Sequence, residues 1–317
     1  MNSKRANWSF LITIIIYTVF SFGFMLLPDA IRNNLFWNNL LCELILVLPV
    51  ILFVVVSGEK TVSFMDFHRI KPGTAGMIVL FTFLSMPFLT LLNLITQFWV
   101  ENEVVIMMDT MNAAQMPYGL LYLSIGIVAP VMEEIACRGA FFHSYEKSGS
   151  VFKAMILSAV VFAFMHMNFN QAAYAFAVGI FSVLLLKSTG SLWASILYHG
   201  VINGSQVTMM YFIMRANPDM FGEQTAAVTT EMLILSVAAY LMLTAITLPL
   251  AIAVLVWIGN HEGRPGILSL IWKERKEKKD KMATVPFVLA LILCVGMMSG
   301  IIPILVSKAL IGMGLSF

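Results

Sequence analysis

The chain has 317 residues, of which 60% are hydrophobic and 11% charged, with a mean hydropathy of +0.89. Soluble domains are about a quarter charged, so a water-soluble enzyme or binding module is excluded, and a net charge of +2 gives nucleic acid no footing. Three scattered cysteines (Cys42, Cys137 and Cys294) exclude a disulfide framework and a cysteine zinc motif. In chain order, nine apolar runs reach or nearly reach the roughly 20 residues that cross a bilayer. They are 8–28, 38–57, 75–99, 118–145, 151–168, 171–187, 191–213, 230–259 and 284–307. The prediction is all-α: a polytopic transmembrane helix bundle of eight to nine spans, with 1–317 forming one transmembrane domain and no internal repeat. The first run has no small-residue cleavage site behind it and reads as a retained helix rather than a removed signal peptide.

Between the runs, Glu59–Lys71 mixes Phe64, Met65, Phe67 and Ile70 with charges, and reads equally as a surface-lying segment or a simple loop. Segment 260–283, with IWKERKEKKDK at its heart, reads as a basic cytoplasmic loop. Glu43 and His143 fall near predicted helix ends and read as interfacial; His68 and His261 read as solvated. With the N-terminus inside, fifteen Lys and Arg fall in inner segments and only Arg32, Arg215 and Lys308 in outer ones. That asymmetry sets the orientation by the positive-inside rule.

The fourth run holds Glu133, Glu134 and Arg138 within six residues. A charge in mid-bilayer costs at least about 2.5 kcal/mol on insertion scales, so such residues pair, face the bundle interior and mark function. Glu134 and Arg138 stand at i and i+4 and share a helix face. Glu133 is turned by about 100° from Glu134, and an apolar setting suits a carboxylate to general base work. Pro130 removes one helix hydrogen bond three residues earlier and predicts irregular backbone beside a polar cavity. The competing reading is a buried ion pair that locks two helices.

Two further polar positions bear on that choice. His166 lies in the fifth run, and His199 and Asn203 lie at i and i+4 in the seventh. A lone histidine in an apolar helix is more often a satisfied core residue, but depth argues for a shared site. Counted from Lys147 and Lys153, Glu133 and His166 lie about 20 Å deep; counted from Lys187, His199 lies about 18 Å deep. The expected wet path runs inward from Glu133, past Arg138, toward Tyr145.

These residues carry a resemblance. Ala129-Pro-Val-Met-Glu133-Glu134-Ile-Ala-Cys-Arg138-Gly139 looks like the EExxxR motif of the CAAX protease and bacteriocin-processing (CPBP, or Abi) family, the type II CAAX prenyl endopeptidase-like proteins. Phe162-xxx-His166 resembles the second motif of that family, and His199-xxx-Asn203 the third. The resemblance covers about 118–210, the motif-bearing core helices; Cys137 departs from it, since the family often has an aromatic residue there. It implies an intramembrane glutamate-type endopeptidase in a bacterial cytoplasmic membrane, with a peptide or membrane-protein substrate and no cofactor. By the same resemblance Glu133 and His166 would activate a water, Glu134 and Arg138 would hold the carboxylate pair, and His199 and Asn203 would stabilise the oxyanion. No metal is expected, because no HExxH is present and Asn is a poor zinc ligand. Two other classes stay open: a non-catalytic bacteriocin-immunity or scaffold protein, and a transporter, which also uses intramembrane charges and broken helices.

Overall fold

The computed structural model describes residues 1–24, 27, 34–110, 116–216, 229–276 and 281–312. All regular elements among them are helices. They are α1 (Ser3–Gly23), α2 (Leu35–Val56), α3 (Thr61–Phe64), α4 (Pro72–Thr96), α5 (Glu103–Thr110), α6 (Tyr118–Glu146), α7 (Val151–Met165), α8 (Phe169–Thr189), α9 (Leu192–Ala216), α10 (Thr230–His261), α11 (Ile267–Lys273), α12 (Val285–Met298) and α13 (Ile301–Gly312). The chain is a multi-pass membrane protein. Each of the nine predicted runs contains a helix; the end of the first run, at 25, 26 and 28, lies outside the described residues.

Among the described residues, six helices are long and apolar enough to cross a membrane: α1, α2, α4, α6, α8 and α10. The ninth run is not one straight span. It breaks into α12 and α13, bent by 71°, where Gly300 takes φ +73°, a left-handed conformation that glycine adopts without steric cost. Helix α7 has only 15 residues. Helix α9 is 25 residues long but carries His199, Asn203, Ser205, Gln206 and Thr208, which dilute its apolarity. Helices α7 and α9, short in length or in apolarity, are thus two of the three that carry motif residues.

Helix α6 runs through the middle of the bundle, against α2, α7 and α9. Its backbone alternates: Tyr122–Val128 is π-helical, Ala129–Glu134 α-helical, and Ile135–Phe142 π-helical again. Pro130 opens the central α turn and has no N–H to donate backward. The irregular backbone expected at this proline is present, and π segments of this kind concentrate at functional sites.

Polar side chains inside the apolar helices bond across helix interfaces, as membrane packing requires. Asn39 of α2 donates to Ser124 of α6 at 3.0 Å. Asn7 of α1 accepts from Tyr145 of α6 and donates to the Met282 carbonyl, at 2.8 and 2.7 Å. Asn93 of α4 donates to Asn170 of α8 at 2.9 Å. Helices α7 and α8 meet at Gly179, where an added Cβ would lie 2.8 Å from Ala159 Cα.

One end of the bundle gathers the segments counted as inner. The Met1 amino group meets Glu59, which also accepts from Lys147 at 2.7 Å. Lys187 pairs with Glu146 at 2.6 Å, and Arg264 reaches the Lys187 carbonyl at 3.4 Å. Segment 260–283, expected as a loop, contains α11. Its Ile271 is buried and Trp272 stands edge-on to Phe152, so apolar contacts with α7 and α8 order it; residues 277–280 lie outside the described set.

Candidate active site

The motif residues of three helices meet around Glu133 and Glu134. Glu134 and Arg138 are both fully buried, with Nη1 3.1 Å from Oε1. The N–H directions of Arg138 fall outside hydrogen-bond range, so Coulomb attraction rather than a directed bond joins the pair. The guanidinium lies over the Phe162 ring of α7, 4.1 Å from its centroid. Glu134 Oε1 also accepts from Ser182 of α8 at 3.4 Å.

His199 bridges the two glutamates. Its Nδ1 is 3.0 Å from Glu134 Oε1, and its Nε2 is 3.4 Å from Glu133 Oε2. The Nδ1 contact is within hydrogen-bond distance, whereas Glu133 Oε2 makes no hydrogen bond and stands only within ion-pair range of Nε2. Arg138 supplies positive charge beside the two carboxyl groups, as a low-dielectric interior requires of a buried cluster.

His166 differs. It caps the C-terminus of α7, with Nδ1 2.8 Å from the Phe162 carbonyl. That bond fixes the proton on Nδ1 and leaves Nε2 as a lone-pair acceptor in the neutral ring. Nε2 faces Glu133 Oε1 at 3.9 Å, beyond direct hydrogen-bond reach. Asn203 does not bond to the glutamates; its amide donates to the Ile125 carbonyl at 3.3 Å. It stands one turn beyond His199 and keeps a second N–H. The equal depths expected for Glu133, His166 and His199 correspond to real contacts.

Three expectations are corrected. Along the expected wet path, Ala136, Cys137, Arg138, Ala140, Phe141, Phe142 and Tyr145 are at most 1% exposed. Close-packed aromatics seal this side; Glu133 and His166, with side chains 15% and 16% exposed, take their access from another direction. His143 is buried, not interfacial, because Asp66 and backbone carbonyls surround it. Glu43 is 5% exposed and lies within electrostatic range of Glu133. Helix α2 begins at Leu35, earlier than the predicted 38, which carries Glu43 inside the bundle. A charge within an apolar run was the signal, the same one that picked out Glu133. Cys137 is fully buried, its sulfur 3.8 Å from that of Met165, as a packing side chain would be. Among the described residues no group of three or more His, Cys, Asp or Glu side chains has metal-holding geometry.

Residues 115–205 match the family described as Type II CAAX prenyl endopeptidase Rce1-like. This segment resembles the CAAX protease family. The match spans α6 to the middle of α9 and takes in every motif residue above. Comparisons with curated proteins and with solved structures returned no match. By its description the family is one of endopeptidases.

Proposed function

We propose that this protein is an intramembrane endopeptidase that hydrolyses a peptide bond with a water activated by Glu133 and His166, without metal. The observation that carries the reading is the placing of Glu133 between two histidines: His199, with Nε2 3.4 Å from Oε2, and His166, with Nδ1 bonded to the Phe162 carbonyl and Nε2 3.9 Å from Oε1. A water beside the 3.9 Å gap would donate one hydrogen to Glu133 Oε1 and the other to His166 Nε2, leaving an oxygen lone pair for attack. The water oxygen bonds to the scissile carbonyl carbon and its proton passes to this pair. The carbonyl oxygen takes the negative charge. His199 Nε2–H and the second N–H of Asn203 are the donors that would meet it. The C–N bond then breaks, and the departing amine takes the proton back. Glu134 and Arg138 would fix His199 and keep the cluster neutral.

The family description supports a prenylated C-terminal CAAX segment, cut within reach of the bilayer, as the substrate class we propose. The test compares membranes that carry the wild-type protein with membranes that carry Glu133→Ala at equal abundance. New C-termini present only with wild type support the reading and identify substrates. Identical terminal peptide sets contradict it and favour the immunity or scaffold role. A second arm adds a strong chelator: cleavage should persist, whereas loss that zinc restores would overturn the metal-free mechanism.

A further inference from the structure

One residue of the segment between α2 and α4 touches both helices that carry the glutamates and His199. The Asp66 carboxylate Oδ2 lies 3.0 Å from His143 Nε2 on α6. The Asp66 carbonyl accepts from the Leu192 N–H at the start of α9, at 2.9 Å. Its neighbours reinforce each contact. Met65 is buried against Gly139, where an added Cβ would lie 3.0 Å from Met65 Cγ. Phe67 stands edge-on to Trp193 at 5.5 Å, and the Ser191 hydroxyl donates to the His68 carbonyl. Asp66 takes φ +56°, a left-handed conformation that costs most L-residues energy and is tolerated best by Asn and Asp. Such a conformation persists only where the surroundings over-determine it.

His143 continues the connection to the site. Its Nδ1 is 2.8 Å from the Arg138 carbonyl and 3.0 Å from that of Gly139. Both ring nitrogens thus face oxygen atoms, the carboxylate on one side and backbone carbonyls on the other. We propose that Asp66 and His143 form a charged buckle that ties α6 to α9 and so holds Glu133 and Glu134 at contact distance from His199. Both are positioning residues; neither touches the reacting atoms. Their effect on rate rests on the endopeptidase reading, but the buckle itself does not.

The buckle has a pH window. Around His143 stand Asp66, Glu59 and Lys60 from the 57–71 segment, with Glu146 and Lys147 from α6; His68 and Lys187 act on Asp66. The bond from His143 holds the Asp66 carboxyl below the usual carboxylate range. Acid that protonates Asp66 removes its charge and opens the buckle.

The test uses the purified full-length protein and two readouts. The first is the imidazole ¹⁵N spectrum, assigned with His143→Gln. The wild-type His143 ring should carry protons on both nitrogens at neutral pH; a singly protonated ring would overturn the buckle without any variant. The second is cleavage of a farnesylated CAAX peptide by Asp66→Asn, which keeps the left-handed backbone comfortable and removes only the charge. A misplacement of about 1 Å can cost about 100-fold in rate. Asp66→Asn should therefore lower kcat by about 10- to 100-fold with KM little changed, and abolish the acid-side loss of activity that protonation of Asp66 causes. Wild-type kcat and profile in Asp66→Asn, alongside loss of cleavage in Glu133→Gln, would refute the buckle and leave the endopeptidase reading intact. Unchanged cleavage in Glu133→Gln would refute that reading, and the ring spectrum would still decide the buckle.

Discussion

Replacing Arg138 by Met strips Glu134 of its cation inside a fully buried pair. What remains at Glu134 is His199 at 3.0 Å and Ser182 at 3.4 Å. Removing one member of a buried ion pair costs about 3–5 kcal/mol, because the other charge stays buried without compensation. Loss of the guanidinium from the Phe162 face, 4.1 Å away, falls within that figure, since a desolvated cation–π contact is worth about 2 kcal/mol. At about 2 °C per kcal/mol, the midpoint of thermal unfolding should fall by roughly 6–10 °C. The described cysteines suit the assay: all three are free, and Cys137 and Cys294 are buried, so a thiol-reactive fluorophore reports unfolding on heating. Glu134→Gln should cost a similar amount by leaving the guanidinium alone. The double variant Glu134→Gln/Arg138→Met removes both charges and should recover to within about 1 kcal/mol of wild type, because neutral replacement of a buried pair is often harmless. It should still fail to cleave, since His199 has lost its anchor. An Arg138→Met protein that melts with wild type, or a double variant whose loss equals the sum of the singles, would refute this account of the pair.

Gly179→Ala should destabilise by about 1–3 kcal/mol, measured by the same unfolding assay, because its methyl group would strike Ala159 at 2.8 Å. Glu43→Met should leave stability at or above that of wild type: Glu43 Oε2 has no hydrogen-bond partner, and replacing a buried charged group by an apolar one of similar size removes its desolvation cost. A drop of more than about 1 kcal/mol would show that Glu43 has a partner that matters. Asp66 and Glu59 are both held below the ordinary carboxylate range, Asp66 by the His143 bond and Glu59 by Lys147 and the amino terminus. Depressed values stabilise the fold above about pH 4, the ordinary carboxyl range, and that stabilisation is lost as pH falls below it. Hydrogen exchange should therefore speed up in residues 57–71 below about pH 4 while α6 stays protected; equal protection at pH 3 and pH 7 would contradict it.

Much of this site was legible in the sequence because membrane helices make depth countable. A fixed rise per residue, counted from Lys147, Lys153 and Lys187, put Glu133, His166 and His199 at one level, and they meet within 3.9 Å. The i, i+4 spacing likewise foretold the Glu134–Arg138 pair. What depth does not carry is the angular arrangement of helices and the packing of connecting segments. Glu43 points inward because Asn39, one turn before it, grips Ser124, a contact far apart in sequence. The 57–71 segment offered only a mixture of apolar and charged residues, and nothing local pairs Asp66 with His143. The sealed inner path followed from Phe141, Phe142 and Tyr145 packing inward, which an apolar run shows equally when it faces lipid. The α12–α13 bend had a signal, Ser299-Gly300 followed by Pro303, in a run whose length alone suggested a straight span.

The most direct test of the central claim is the turnover of a farnesylated CAAX peptide by purified wild-type protein, Glu133→Gln and His166→Gln, with a strong chelator present throughout. General base catalysis is worth about 100- to 10,000-fold. Both variants should lose activity in that range with the fold intact, and the wild type should keep its rate in the chelator. Wild-type turnover by a folded Glu133→Gln protein would contradict a water activated by Glu133 and His166.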